Sequence, residues 1–174
     1  MPGKKISHLM FGVLAVLGVN LAHASVTIPI ELFNATSGKV QNIGSITAED
    51  SFCGVLLTPD LKGLPPGVHG FHVHVNPSCA DNGKAAGGHL DPANSDQHNG
   101  PYSKHGHLGD LPVLIVNNDG TATLPTLAPR FKLSQILGHA IMIHAGGDNY
   151  SDKPEKLGGG GARIACGVIE KKPA

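Results

Sequence analysis

The sequence predicts an all-β domain of the sandwich or barrel class. Turn-forming residues are frequent, since the 174 residues include 24 glycines and 13 prolines, and they separate short β-prone runs. No pattern indicates an amphipathic helix longer than two turns. Hydrophobic residues make up 40% of the chain and charged residues 15%, which is typical of a folded protein rather than a disordered one. The length suits one ordinary domain.

The predicted strands follow one another along the chain as short apolar or alternating runs. They cover residues 26–33, 53–57, 68–75, 113–116, 121–124, 139–144 and 163–169. The second run is predicted to end at Thr58-Pro59-Asp60. The fourth and fifth flank Asn117-Asn118-Asp119-Gly120, which predicts a tight hairpin turn.

Two stretches are predicted to be long loops. Residues 76–111 are rich in Gly, Asn, Asp and Pro, and residues 145–161 end in four consecutive glycines. Loops of this length within a compact domain are usually functional or disordered. The histidines in the first loop favour a function.

The N-terminal segment has the pattern of a secretory signal. Lys4 and Lys5 precede an apolar run over 9–19, and Ala22-His23-Ala24 matches a cleavage site. We expect residues 1–24 to be removed and residues 25–174 to form the mature domain, with an uncleaved anchor as the alternative. The apolar run is short for a membrane span. Export would place the three cysteines where disulfides form, and an odd number allows at most one internal bridge.

Net charge offers no case for a polyanionic partner. Lysines and arginines balance aspartates and glutamates at 13 each. Neither nucleic-acid binding nor association with a membrane surface is indicated by bulk charge.

The eleven histidines are the compositional outlier. His72 and His74 are two residues apart on a predicted strand, so their imidazoles project from the same face and suit a shared ion. A single His-x-His pair is weak evidence, because two partly exposed polar strand residues give the same pattern.

The loop that follows strengthens the case for metal. It carries four further histidines and an aspartate, and His144 ends a later strand. Imidazoles with a carboxylate suit tetrahedral zinc, and imidazole also suits copper. There are more candidate ligands than one ion needs, so two metals sharing one site is the simplest interpretation. The loop candidates are His89, His98, His105, His107 and Asp110.

The chain resembles copper,zinc superoxide dismutases, specifically the bacterial periplasmic kind, from about residue 26 to about residue 171. This resemblance implies an eight-stranded Greek-key flattened β-barrel, an immunoglobulin-like sandwich with two long functional loops. The matching segments are Gly70-Phe71-His72-Val73-His74, Gly87-Gly88-His89-Leu90-Asp91-Pro92, His107-Leu108-Gly109-Asp110-Leu111-Pro112, Val116-Asn117-Asn118-Asp119-Gly120, His144-Ala145-Gly146-Gly147-Asp148-Asn149, and residues 158–169.

The resemblance also implies the metal ligands, for one copper and one zinc per chain. Copper would be bound by His72, His74, His89 and His144. Zinc would be bound by His89, His98, His107 and Asp110, with His89 bridging the two ions. Asp148 would accept hydrogen bonds from one ligand of each metal and hold both rings in place.

Further implied roles concern the reaction. Arg163 would hold superoxide beside the copper, His89 would deliver a proton, and Cys79 and Cys166 would form a disulfide. The implied activity is dismutation of superoxide to dioxygen and hydrogen peroxide in the periplasm, which protects the cell envelope, and a homodimer is possible. No nucleic-acid partner and no membrane contact after signal cleavage are expected. The alternatives are a non-catalytic periplasmic protein that buffers copper and zinc, and a metal-free structural β-sandwich.

Two features depart from the family pattern. Cys53 lies in a predicted strand, which favours a buried free thiol over an intermolecular bridge. The segment 80–88, between Cys79 and His89, is short for a periplasmic relative. Three other histidines match no ligand motif and are expected to be structural or solvated: His69, His105 and His139.

Overall fold

Ten strands form the regular framework of the residues that the computed structural model describes, which are 24–34 and 40–171. Helical structure in these residues is limited to short 3-10 segments at Lys84–Ala86, Leu133–Gln135 and Lys156–Gly159. The strands are β1 Ser25–Phe33, β2 Val40–Ser51, β3 Gly54–Lys62, β4 Gly67–His69, β5 Phe71–His74, β6 Leu114–Val116, β7 Thr121–Ala122, β8 Thr126–Ala128, β9 His139–His144 and β10 Arg163–Ile169.

Antiparallel pairing joins eight of the strands into one curled sheet. Its order is β5-β9-β10-β1-β2-β3-β7, with β8 also paired to β3, while β4 and β6 form a separate pair. Side chains such as Ile28, Ile46, Leu57, Phe71 and Ile141 fill a common core. The predicted all-β, Greek-key barrel class is confirmed, and both predicted long loops lack strands. No helix among the described residues is long and apolar enough to cross a membrane.

Strand β2 has no counterpart among the predicted strands. Its buried residues Ile43, Ile46 and Ala48 do not keep a period of two, because the register between β1 and β2 shifts at Ile30/Glu31. At this irregularity Gly44 has φ +123, and a Cβ there would meet the carbonyl oxygen of Asp60. A bulge of this kind interrupts the alternation by which a half-buried strand is recognised.

Strand β3 corrects two predictions. It continues through Pro59, which pairs with Ile46 of β2. On its other edge β3 meets β8 at residues 55–57 and β7 at residues 61–62, so Pro59 has no ladder partner there that needs its missing N–H. Cys53 is not buried but exposed, because it lies in the turn before β3 begins at Gly54.

The predicted strand over 68–75 divides at Gly70 into β4 and β5, which belong to different sheets. The turn over 117–120 forms, with the Asn117 N–H donating to the Thr121 carbonyl at 2.8 Å. Its flanking strands separate, however, because β6 pairs with β4 and β7 pairs with β3. The predicted signal peptide lies outside the described residues except for Ala24.

Candidate metal centre

Strand β5 brings two histidines to the same side of the sheet. His72 and His74 are both buried, while Phe71 and Val73 pack into the core. The neighbouring strand β9 ends at His144, and His144 opposes Arg163 at the start of β10. Adjacent strand ends therefore place three imidazoles and one guanidinium in the same region.

The first long loop runs back alongside β5. The Val73 N–H donates to the Gly109 carbonyl at 2.9 Å, and the Leu90 N–H donates to the Val73 carbonyl at 2.8 Å. These contacts create isolated bridges that pair His74 with His89 and His72 with Asp110. The loop thus delivers its own ligands to the histidines of the strand.

Three groups of possible metal ligands result among the described residues, and within each group the ligand atoms lie within 4.8 Å of one another. Two of the groups are wholly buried and share His89, while the third joins one histidine of each to the half-buried Asp148. We name the first the all-histidine cluster, His72, His74, His89 and His144. The second is the histidine–aspartate cluster, His89, His98, His107 and Asp110.

The hydrogen bonding of these side chains fits two bound metals. Buried polar groups normally have hydrogen-bond partners, so unpartnered ones call for an explanation. In the described residues, the buried side-chain atoms that make no hydrogen bond are all potential ligand atoms of the two clusters: His72 Nδ1, His74 Nε2, His89 Nε2, His98 Nδ1, His107 Nδ1, Asp110 Oδ2 and His144 Nε2. Two of them, His98 Nδ1 and His107 Nδ1, approach Asp110, which is itself a member of the histidine–aspartate cluster. Four imidazoles suit copper, and imidazoles with a carboxylate suit zinc.

The outer nitrogens of the all-histidine cluster are each fixed by an acceptor. His74 Nδ1 donates to the Gly87 carbonyl at 2.9 Å, and His144 Nδ1 donates to the Gly161 carbonyl at 3.2 Å. His72 Nε2 donates to Asp148 at 2.7 Å. These bonds set the tautomers that leave a lone pair on each inward nitrogen.

Burial keeps the all-histidine cluster neutral. Desolvation lowers the pKa of His72 to about 3 and that of His74 to about 2, against the raising effect of their hydrogen bonds. Desolvation also lowers the pKa of His144 to about 4 and lowers the pKa of His89. Neutral imidazole is the form that binds a metal.

The histidine–aspartate cluster has the opposite electrostatics. His89 Nδ1 and His98 Nδ1 both lie 3.0 Å from Asp110 Oδ1, and His107 Nδ1 lies 3.4 Å from it. Desolvation opposes the charge on Asp110, but these histidines outweigh it and hold the pKa of the carboxyl well below its usual range. Desolvation likewise opposes protonation of His98, yet Asp110 and Asp148 raise its pKa to about 9.

Asp148 connects the two clusters. One carboxylate oxygen accepts from His72 Nε2 at 2.7 Å, and the other accepts from His98 Nε2 at 2.8 Å. The Tyr150 N–H donates to the same carboxylate at 2.7 Å. These hydrogen bonds lower the pKa of Asp148, although desolvation acts in the opposite direction. The carboxylate therefore orients one ring of each cluster.

Arg163 is held beside the all-histidine cluster by the short segment 80–88. Its guanidinium donates to the carbonyls of Gly83 and Gly87, the latter at 2.6 Å. Since the Gly87 carbonyl also accepts from His74, this segment links the arginine to a candidate ligand. The disulfide Cys79–Cys166 joins the start of the segment to β10.

Among the described residues, the remaining histidines lie outside both clusters. His69 is buried, with its ring nitrogens 2.7 Å and 2.8 Å from the carbonyl oxygens of His144 and Pro65. His139 contacts the Val75 carbonyl, and His105 is exposed. Sequence patterns gave no indication of the orienting carbonyls of Gly83, Gly87 and Gly161, because a backbone acceptor carries no residue-type signal.

Comparisons with known proteins agree on one family. The family model of copper/zinc superoxide dismutase matches residues 38–169. A Cu-Zn superoxide dismutase 1 of Salmonella typhimurium is 58% identical over 160 residues, covering 86% of this chain and 90% of that relative. The solved Cu/Zn superoxide dismutase of Brucella abortus is 47% identical with a TM-score of 0.78, over 84% of this chain and all of its own. The monomeric copper, zinc superoxide dismutase of Salmonella enterica is 52% identical with a TM-score of 0.72, over 84% and 100% of the two chains.

Proposed function

This chain belongs to the copper/zinc superoxide dismutase family, and from that premise we propose which residues carry the reaction. The all-histidine cluster holds copper and the histidine–aspartate cluster holds zinc. His89 would belong to both sites, since its Nε2 makes no hydrogen bond and its Nδ1 lies 3.0 Å from Asp110. The unpartnered buried ligand atoms are the observation that carries this assignment.

The protein is a superoxide dismutase with copper and zinc as cofactors. Two superoxide anions and two protons become one dioxygen and one hydrogen peroxide. When bound, copper supplies the one-electron exchange that oxidises one superoxide and reduces the next, while zinc supplies a fixed positive charge beside the shared imidazole. Binding of the substrate anion and supply of the proton must come from side chains of the protein.

Arg163 binds the substrate anion in this proposal. Its guanidinium is permanently charged and has more N–H donors than the two that Gly83 and Gly87 occupy. Both carbonyls belong to the segment that the disulfide fixes to β10, so the donor fork keeps one orientation. A positive group at this place attracts a small anion and aligns it next to His74 and His144.

His89 would supply a proton from Nε2 when this nitrogen is not bound to copper. The ring is buried, and desolvation lowers its pKa, so a proton placed on Nε2 leaves readily for a strongly basic acceptor such as a reduced oxygen species. Asp110 lies 3.0 Å from Nδ1 and holds the ring plane while the other nitrogen exchanges its proton.

The test combines metal analysis with a dismutation assay on the purified chain from Ser25 onward, loaded with copper and zinc. We expect one copper and one zinc per chain and a rate near the diffusion limit. His105→Ala is a matched control, because His105 is an exposed histidine of the same loop outside both clusters. Binding of both metals without activity would instead support the metal-buffering alternative.

For localisation, we propose that residues 1–24 direct the chain to the periplasm and are removed there, so that the enzyme protects the cell envelope. The basic and apolar segments and the cleavage motif support this proposal. Mass spectrometry of the chain from a periplasmic extract should give Ser25 as the first residue. A chain that keeps residues 1–24 in the membrane fraction would support the uncleaved anchor.

For assembly, the homodimer stays a proposal. Val68 of β4 and Ile115 of β6 lie opposite each other and are 50% and 38% exposed, so they form a small apolar surface. Sedimentation velocity would decide: a dimer that Val68→Asp dissociates supports the proposal. A monomer mass across the concentration range contradicts it.

A further inference from the structure

We propose that Arg130 is a positioning residue for the zinc half of the site, and this inference rests on the proposed zinc assignment. Arg130 lies between β8 and the 3-10 segment Leu133–Gln135, outside both long loops. Its hydrogen bonds go to backbone carbonyls rather than to candidate ligand atoms. It acts on the backbone that carries His107.

The hydrogen bonds of the Arg130 guanidinium all go to backbone carbonyls of the first loop. One terminal nitrogen donates to the His107 carbonyl at 2.8 Å and lies 3.4 Å from the Gly100 carbonyl. The other terminal nitrogen donates to the Gly106 carbonyl at 2.8 Å. A planar fork that reaches adjacent carbonyls fixes both the position and the direction of the peptide unit between them. Bonds from a charged donor are also among the stronger hydrogen bonds in proteins.

The other contacts of this peptide come from within the first loop. No strand or helix lies between Ala86 and Leu114 in the described residues. The His107 N–H donates to the Gln97 carbonyl at 3.0 Å, and the Asp110 backbone N–H donates to the His107 carbonyl at 3.3 Å. Gly106 is closely packed, since a Cβ there would lie 3.0 Å from the Asn99 side chain. Arg130 therefore connects this peptide to a part of the chain that lies outside the loop.

A simple charge effect predicts the opposite consequence, which makes the role testable. Arg130 is a cation near a site for a cation, so Coulomb repulsion alone would weaken metal binding. Removing the charge would then strengthen binding. If Arg130 acts by positioning His107, its removal weakens binding instead, by the roughly 10- to 100-fold loss that is typical of outer contacts at metal sites.

The experiment measures Co²⁺ binding to the metal-free chain from Ser25 onward, followed by the visible absorption of tetrahedral Co²⁺ in competition with a chelator. Arg130→Met removes the fork at similar length, and Arg130→Lys keeps the charge but offers a single donor point. Lys104→Met is the matched control, because Lys104 is an exposed cation of the loop that carries His107. Circular dichroism checks that each variant is folded.

We expect Arg130→Met to lower Co²⁺ affinity about 10- to 100-fold and to alter the absorption band, with Arg130→Lys intermediate. Lys104→Met should leave the affinity unchanged or slightly higher. If Arg130→Met does not fold, Arg130→Lys decides, and an unchanged affinity in it overturns the inference. If Arg130→Met binds Co²⁺ with a normal absorption band, the inference is overturned but the zinc assignment is not. Absence of a tetrahedral band in the unmodified chain overturns the zinc assignment as well.

Discussion

The proposed copper half, which is the all-histidine cluster, and the proposed zinc half, which is the histidine–aspartate cluster, share one histidine but are built in different ways. The copper half takes His72, His74 and His144 from paired strands, and two of these rings are oriented by backbone carbonyls. The zinc half takes His98, His107 and Asp110 from a loop without strands. Carboxylates surround its histidines, as the contacts of Asp110 and Asp148 with His98 show.

The two halves differ in the protonation state of their imidazoles before a metal binds. Desolvation within the sheet leaves the copper-side imidazoles neutral near pH 7, so a metal meets free lone pairs. On the zinc side the carboxylates keep a proton on His98, and a metal must displace it. Paired strands supply His72, His74 and His144, whereas a loop supplies His98, His107 and Asp110, and Asp148 contacts one ring of each half.

His144→Ala should have the largest effect and separates the halves most directly. It removes one of four copper-side imidazoles but no zinc-side ligand, so copper binding and dismutation should be lost. We expect an activity loss of more than about 100-fold, with zinc content close to one per chain by elemental analysis. Full activity in this variant would disprove the copper assignment.

Lowering the pH should weaken the zinc half selectively. The pKa of His98 is raised to about 9, so below that pH zinc must release one proton, and affinity should fall about tenfold per pH unit. Between pH 8 and pH 6 the loss should be about 100-fold. Copper-side pKa values of about 2 to 4 for His72, His74 and His144 predict little change in that range. Chelator competition measures the affinity for Co²⁺ at each pH, and the same method measures the affinity for Cu²⁺ on the zinc-saturated chain. If both affinities fell equally steeply with decreasing pH, the proposed difference between the two halves would be wrong.

Asp148→Asn should weaken both halves at once. The amide keeps one acceptor oxygen, so either His72 or His98 loses its partner, and the orientation of both rings is coupled through the same group. We expect a loss of about 10- to 100-fold in affinity for each metal. Asp119→Asn, in the exposed turn 117–120, is the control. A loss confined to one metal would show that Asp148 does not couple them.

Arg163→Ala should leave both halves occupied and slow only the reaction. The guanidinium contacts carbonyls rather than ligand atoms, so metal content should stay the same while the rate falls about tenfold or more, with weaker salt dependence. Arg163→Lys should recover part of the rate. Pulse radiolysis measures these rates, and an unchanged rate in Arg163→Ala would make the residue purely structural.

Most of the fold was accessible from local patterns, and the exceptions have physical causes. Strands β9 and β10 match their predicted bounds because their apolar runs are uninterrupted. Strand β2 escaped prediction because the shift at Ile30/Glu31 interrupts its alternation. Cys53 was placed wrongly because an apolar neighbourhood in the sequence does not distinguish a strand from the exposed turn before it.

The sequence by itself determined the ligand chemistry of this protein, since His72 and His74 must share a face on any strand and the loop motifs match one family. The family resemblance also implied that Asp148 orients one ring of each cluster. Only the tertiary structure decided the other orienting groups: the carbonyls of Gly87 and Gly161 accept from His74 and His144, and Arg130 contacts a carbonyl 23 residues away. Contacts of this kind depend on how strands pair and loops fold back, and local periodicity contains no record of them.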